Sequence, residues 1–362
     1  MISTRRKSMS GLFPLCGWAL LLLLPAAWSH GQTAISNWTL SNANAANSTA
    51  YTTYNFDNQT NTITSLTVGT SVKTIASDAD SVFVRRSAAA GNNANIWEVA
   101  TSASNLVGGN TGASTLQNLL LSNNSLMGVN DLFTNAGGTP AAIANNNIER
   151  VDYYWNAGFT AVPDQGFAIF DRAANHNAAD GFQVAVITGW NTTTSQATSY
   201  GGNVVEITAG AASQYGTALD YDPTTAGSQT TFTYQILRFQ GSGDSLASLT
   251  SADATNTQSV FGVYISFADL GIAAGTVVYG YSIMANDVSN VTANLVDWNN
   301  ATFYPTSTPD SSGSIDLLAV NGKRWVPEPS TYGAMFLGLS SLLLGARRWW
   351  LSRIVALNAS AA

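Results

Sequence analysis

The chain has 362 residues, with 14 Lys and Arg against 21 Asp and Glu, two histidines and one cysteine. A net charge of −7 argues against nucleic acid or an anionic lipid surface as partner, and a lone cysteine excludes an internal disulfide or a cysteine metal site. Glutamate occurs only at Glu98, Glu149, Glu206 and Glu328, and polarity comes mainly from Asn, Ser and Thr, so composition predicts many turns and few helices.

The first 31 residues read as a secretory signal peptide: Arg5, Arg6 and Lys7, then an apolar run containing Leu20 to Leu24, then Ala27, Ser29 and Gly31. Cleavage after Ser29 or after Gly31 fits equally well. Cys16 falls inside this apolar run and is lost with it. Residues 32–328 then carry eight cations against all 21 acids, a net charge of −13. That length can bury a large core, as one β domain over 32–322 or as two subdomains, 32–135 and 148–322.

In chain order, 32–62 is polar, with a candidate strand start at 51–56. Strands are expected at 62–72, 81–86 and 95–101. Leu116, Leu119 and Leu120 approach a helical period, so one helix is predicted over 114–121, capped by Ser114 and broken by Asn123-Asn124-Ser125. Residues 140–147 read as a loop. From Ile148 the period of two sharpens: Val151, Tyr153 and Trp155; Phe182, Val184 and Val186; Phe232, Tyr234 and Ile236; Phe261, Val263, Ile265 and Phe267; Val277, Tyr279, Tyr281 and Ile283. Shorter apolar segments at 166–170 and 203–208 add two more strands, and 315–320 is a candidate last strand before a stalk. The fold class predicted is all-β, an antiparallel β-sandwich or jelly roll with one short helix.

The C-terminal segment, 323–362, has its own grammar. Val326, Pro327, Glu328, Pro329 and Ser330 precede an uncharged, Leu- and Gly-rich run to Ala346, and Arg347 and Arg348 stop it, with Arg353 beyond. The run reads as a transmembrane helix over 331–346 whose basic end stays in the cytoplasm. Residues 331–351, with snorkelling arginines, reach about 31 Å, just enough for a bilayer core. This order of parts resembles the PEP-CTERM protein-sorting signal of Gram-negative bacteria. The resemblance covers only about the last thirty residues, and the tail from Trp349 to Ala362 runs on further than is usual in that family. It implies a membrane protease of the exosortase class as partner, a precursor held in the inner membrane, a cut near Pro327-Glu328-Pro329, and delivery to the cell surface or an exopolysaccharide matrix.

Residues that carry chemistry are scarce. His176 alone can build no multi-histidine zinc site, and no serine lies in a nucleophile elbow. Glycoside hydrolysis needs two facing carboxylates, which the sequence does not pair. No catalytic residue and no cofactor is therefore expected. Calcium is the candidate metal, at the alternating pairs Asp78 and Asp80 or Asp220 and Asp222, although neither pair continues into a full calcium loop. Trp190 and Trp298, beside turn residues, are candidate sugar-stacking side chains. Three readings are open: a non-catalytic structural or adhesive surface protein, an exopolysaccharide-binding module, or a secreted glycan-active enzyme.

Overall fold

A computed structural model describes residues 32–41, 62–86, 94–102, 105–106, 115–135, 145, 148–210, 214–220, 230–239, 250–328, 338 and 340–350. The segment read as a signal peptide and the candidate strand start at 51–56 lie outside the described residues, as does nearly all of the loop at 140–147.

Among the described residues, alternating side chains and Gly- or Asn-bearing turns produce fifteen strands. The first seven are β1 (Thr33–Leu40), β2 (Ile63–Val68), β3 (Ser71–Asp78), β4 (Ser81–Arg86), β5 (Ala94–Ser102), β6 (Asn105–Leu106) and β7 (Met127–Asn130). The remainder are β8 (Ile148–Thr160), β9 (Gly166–Ala173), β10 (Phe182–Asn191), β11 (Gln196–Ile207), β12 (Phe232–Phe239), β13 (Thr250–Ser266), β14 (Val277–Met284) and β15 (Lys323–Pro327). Short α1 (Leu116–Leu120) precedes β7, and α2 (Asp310–Gly313) precedes β15.

The chain is all-β, and one of its sheets closes on itself. The order β1-β2-β3-β15-β9-β13 returns to β1, because Thr33 and Ala34 pair with Tyr264 and Val263. These six strands form a barrel. The N-terminal half of long β13 leaves it to pair with β12, which continues the sheet to β5, β6 and β7. A second, five-stranded sheet runs β11-β10-β14-β8-β4. Because β4 pairs β8 and β5 pairs β12, residues 32–135 and 148–322 contribute to both sheets together.

Period two decides which side chain goes where. Along β9, Ala168 and Phe170 join a core with Leu66, Val260, Tyr264 and Trp325, while Phe167 and Ile169 turn to the second core. There they meet Tyr153, Val184 and Tyr281 of the five-stranded sheet. Phe167 and Tyr281 lie 4.2 Å apart, and Tyr153 stacks on Tyr281 at 5.0 Å. Between β13 and the first core, Gly262 leaves the space that the Trp38 ring occupies against Phe170; a Cβ there would lie 2.5 Å from the indole.

Several sequence expectations change. The strand at 62–72 is two strands, because Gly69 adopts φ +59° and turns β2 into β3. Thr115, whose hydroxyl accepts the Asn118 N–H at 3.1 Å, caps α1; Ser114 lies outside the described residues. Residues 315–320 make only isolated bridges, Leu318 to Gly128 and Leu317 to Asp171. The last strand among the described residues is β15, so residues 323–327, assigned by sequence to the sorting segment, are part of the barrel and no stalk separates them from the fold.

Trp325 is fully buried in the barrel interior. Trp325→Ala is therefore expected to destabilise the protein by about 3–5 kcal/mol, read from equilibrium urea unfolding, with the m-value unchanged.

Candidate functional site

The Pro-Glu-Pro motif begins inside the barrel. Val326 pairs with Thr74 and Pro327 with Lys73, and the Glu328 N–H donates to the Val72 carbonyl at 3.0 Å. Proline suits position 327. The Glu328 N–H points to β3, so alternation turns the Pro327 nitrogen to the other side, beyond the start of β9, where no donor is needed. Its partner Lys73 is buried and fixed: the ammonium donates to the Asp164 carboxylate at 2.6 Å and to the Asp164 carbonyl at 3.0 Å. At the other end of β15, Lys323 pairs with Asp78 at 2.8 Å.

Pro329, Ser330 and Arg353 lie outside the described residues. Arg347 and Arg348 are exposed on a helical stretch over 340–350, alongside exposed Leu342, Leu343, Leu344, Trp349 and Trp350. Among the described residues no helix is long and apolar enough to cross a membrane, and the run expected to span, 331–346, is described only in part.

The two candidate stacking tryptophans are not equivalent. Trp190, near the end of β10, is half-buried and stacks on Tyr154 with ring centroids 4.2 Å apart and planes 18° apart. Phe83 lies 5.2 Å from it, so Phe83, Tyr154 and Trp190 make one aromatic ledge. Arg85 lies over Phe83 and near the Trp190 ring, donates to Asp152 at 2.9 Å, and also holds the carbonyl of Ser195 in the β10–β11 turn. Trp298 lies instead in the turns between β14 and α2, half-buried against the second core.

The candidate calcium pairs are dispersed or incompletely described. Asp78 accepts from Lys323, while Asp80 accepts the Asn156 N–H at 2.7 Å. Their carboxylates thus serve different strands. Asp220 is described and Asp222 is not. Among the described residues no group of three or more His, Cys, Asp or Glu is arranged to hold a metal ion.

A site that sequence reasoning missed lies where β9 ends. Asp171 and Arg172 close that strand, and both are buried. Arg172 donates to Asp316 at 2.6 Å and to the side chain of Asn130 at 2.7 Å, and also contacts Gln258. Asp316 accepts the Asp131 N–H at 2.9 Å. Asp171 accepts the backbone N–H groups of Asp316 and Asp180, each at 2.8 Å. Asp180 accepts from Ser314 at 2.6 Å. One arginine thus serves a network of four aspartates. Burial, first, and mutual repulsion hold the carboxyls high: Asp131 to about 8, Asp171 to about 7 and Asp180 to about 9, with Arg172 opposing at Asp131 and Asp171. Burial raises Asp316 to about 6, against the pull of Arg172. The only hint in the sequence is a charged pair directly after the apolar run 166–170.

Beside this network is an open groove of about 580 Å³, lined by Ser36, His176, Tyr215, Thr217, Ser259 and Phe261 among others. His176 is exposed on a short 3₁₀ turn, its ring edge-on to Phe261 at 6.2 Å. Tyr215 forms a partition, with its hydroxyl donating to the Asp180 carbonyl. The aspartates are thus engaged with backbone and Arg172, which makes them a fastening between β9, the β7 end and the 310–320 segment.

No family model, no curated protein and no solved structure matches this chain.

A carboxyl held above its ordinary value binds more protons in the folded state than in the unfolded one. Its stabilisation is complete below pH ~4 and is lost as pH rises through the folded values, here between about 6 and 9. The melting temperature is therefore expected to fall by several degrees from about pH 5 to about pH 9, and Asp180→Asn to flatten part of that slope. Thermal melts by circular dichroism across the range check both.

Proposed function

We propose that this is an exported protein of the cell surface or extracellular matrix of a Gram-negative bacterium, held first in the inner membrane and then released by a membrane protease of the exosortase class. The role is structural or adhesive and non-catalytic. One observation carries the reading. Among the described residues, the barrel's backbone bonding reaches as far as Glu328, in the middle of the motif, and after it in the sequence come the second proline, the apolar run and the arginine pair. The barrel thus reaches into the motif. We read the packing of the five-stranded sheet on the barrel as sandwich-like, a rigid body with two cores suited to such a role.

Exopolysaccharide binding is the second reading. The ledge of half-buried Phe83 and Trp190 backed by buried Tyr154 favours it, since sugar rings stack on aromatic surfaces whose orientation is already fixed.

In the native host, intact mass and fractionation are expected to give a product lacking the apolar run and gone from the inner membrane, with the full tail retained when the sorting protease is deleted. A tail that persists in both hosts makes the motif accidental. On a glycan array, Trp190→Ala is expected to weaken binding at least tenfold; absence of any binding by the wild type leaves the structural role.

A further inference from the structure

We propose that the fold itself sets the upstream limit of processing: the cut lies C-terminal to Glu328, and Val326 and Pro327 remain in the mature protein as the end of its barrel-closing strand. The inference rests on the sorting reading above and goes beyond it, because the resemblance names a motif and not a bond.

A protease binds its substrate as an extended backbone free of other pairing, most often by adding it to a strand of its own. Residues 323–327 are not free in that sense. Each is paired with β3, from Lys323 opposite Asp78 to Pro327 opposite Lys73, and Trp325 is also paired with Gly166 of β9. The next residue adds the bond from the Glu328 N–H to Val72. To present any bond in this stretch, β15 must leave the barrel. That brings Trp325 out of the interior and leaves β3 and β9 as open edges.

Fraying from the C-terminal end is also resisted, and this is the decisive feature. Strand ends ordinarily open first. Here the residue facing Pro327 is Lys73, buried, with its ammonium held by two oxygens of Asp164 and lying 5.3 Å from the Tyr264 ring. Tyr264 in turn donates to the same Asp164 carbonyl at 2.9 Å. The tip of β15 therefore lies against a strand pinned to the β8–β9 turn and to β13. Gly166, opposite Trp325, leaves no room for a side chain between β9 and β13, since a Cβ there would stand 2.1 Å from the Ile265 carbonyl oxygen.

The test uses the full chain purified in detergent and digested with subtilisin, with the C-terminus of the products read by intact mass. Trimming is expected to stop at or beyond Glu328. Trp325→Ala, which loosens the strand without touching the motif, is expected to raise the rate of cutting within 323–328 at least tenfold. Wild-type protein trimmed into 323–327 as quickly as the variant overturns the proposal. The product formed in the native host separates the two ideas. A C-terminus within 323–327 sinks the limit while leaving sorting intact. An uncut tail sinks the sorting reading, and the digestion still decides the limit.

Discussion

The pairing of β15 with β3 on one side and β9 on the other is the constraint on which the barrel depends. Five of its six strands come from residues 33–78, 166–173 and 250–266, and without the sixth the ring is open between β3 and β9. Five residues fill that gap. They do so with a buried tryptophan, a lysine pair at each end and a proline where the pairing runs out. The lysines are unusual occupants of a barrel wall. Lys73 and Lys323 are almost fully buried, and each reaches a carboxylate nearer the surface, Asp164 or Asp78. Their aliphatic stems pack while their charges escape toward the outside.

The five-stranded sheet uses charge differently. Arg150 and Asp152 are wholly buried at 2.7 Å, and Ser282 and Tyr200 extend the chain of hydrogen bonds from Asp152. Such a pair gains little over an apolar replacement of the same shape, but removing one partner strands the other. The same is true of Arg172 among its aspartates. These groups specify which loops lie over the sheet and which segment lies against the end of β9 more than they add to the stability of either.

Strands with one apolar face were legible in the sequence: β10, β12, β13 and β14 were visible from alternation alone. The misses have physical causes. β1 presents Ser36, Asn37 and Thr39 among its apolar residues, so its pattern is faint. The turn between β2 and β3 is only Gly69-Thr70, too short to interrupt an apolar run by eye. β15 looked like a stalk because Lys323, Arg324 and Pro327 are poor strand formers in isolation, and only its neighbours make them suitable. Trp190 could be singled out by its turn context, but not its stack on Tyr154, thirty-six positions away. The aspartate network could not be anticipated, since Asp131, Asp171, Asp180 and Asp316 meet only through the topology and obey no spacing rule.

Because the closing strand is made after the other five of its barrel, the order of synthesis matters. A chain elongating from its N-terminus has β3 ready early, but β3 must wait for a partner some 245 residues downstream. Until then two strand edges stay unsatisfied, in a topology whose contacts are already far apart along the chain and therefore slow to form. Completion of the barrel thus coincides with arrival of the segment that resembles a sorting signal. A prematurely terminated chain is left with an open ring, whose unpaired β3 and β9 edges are free to pair with strands of another chain.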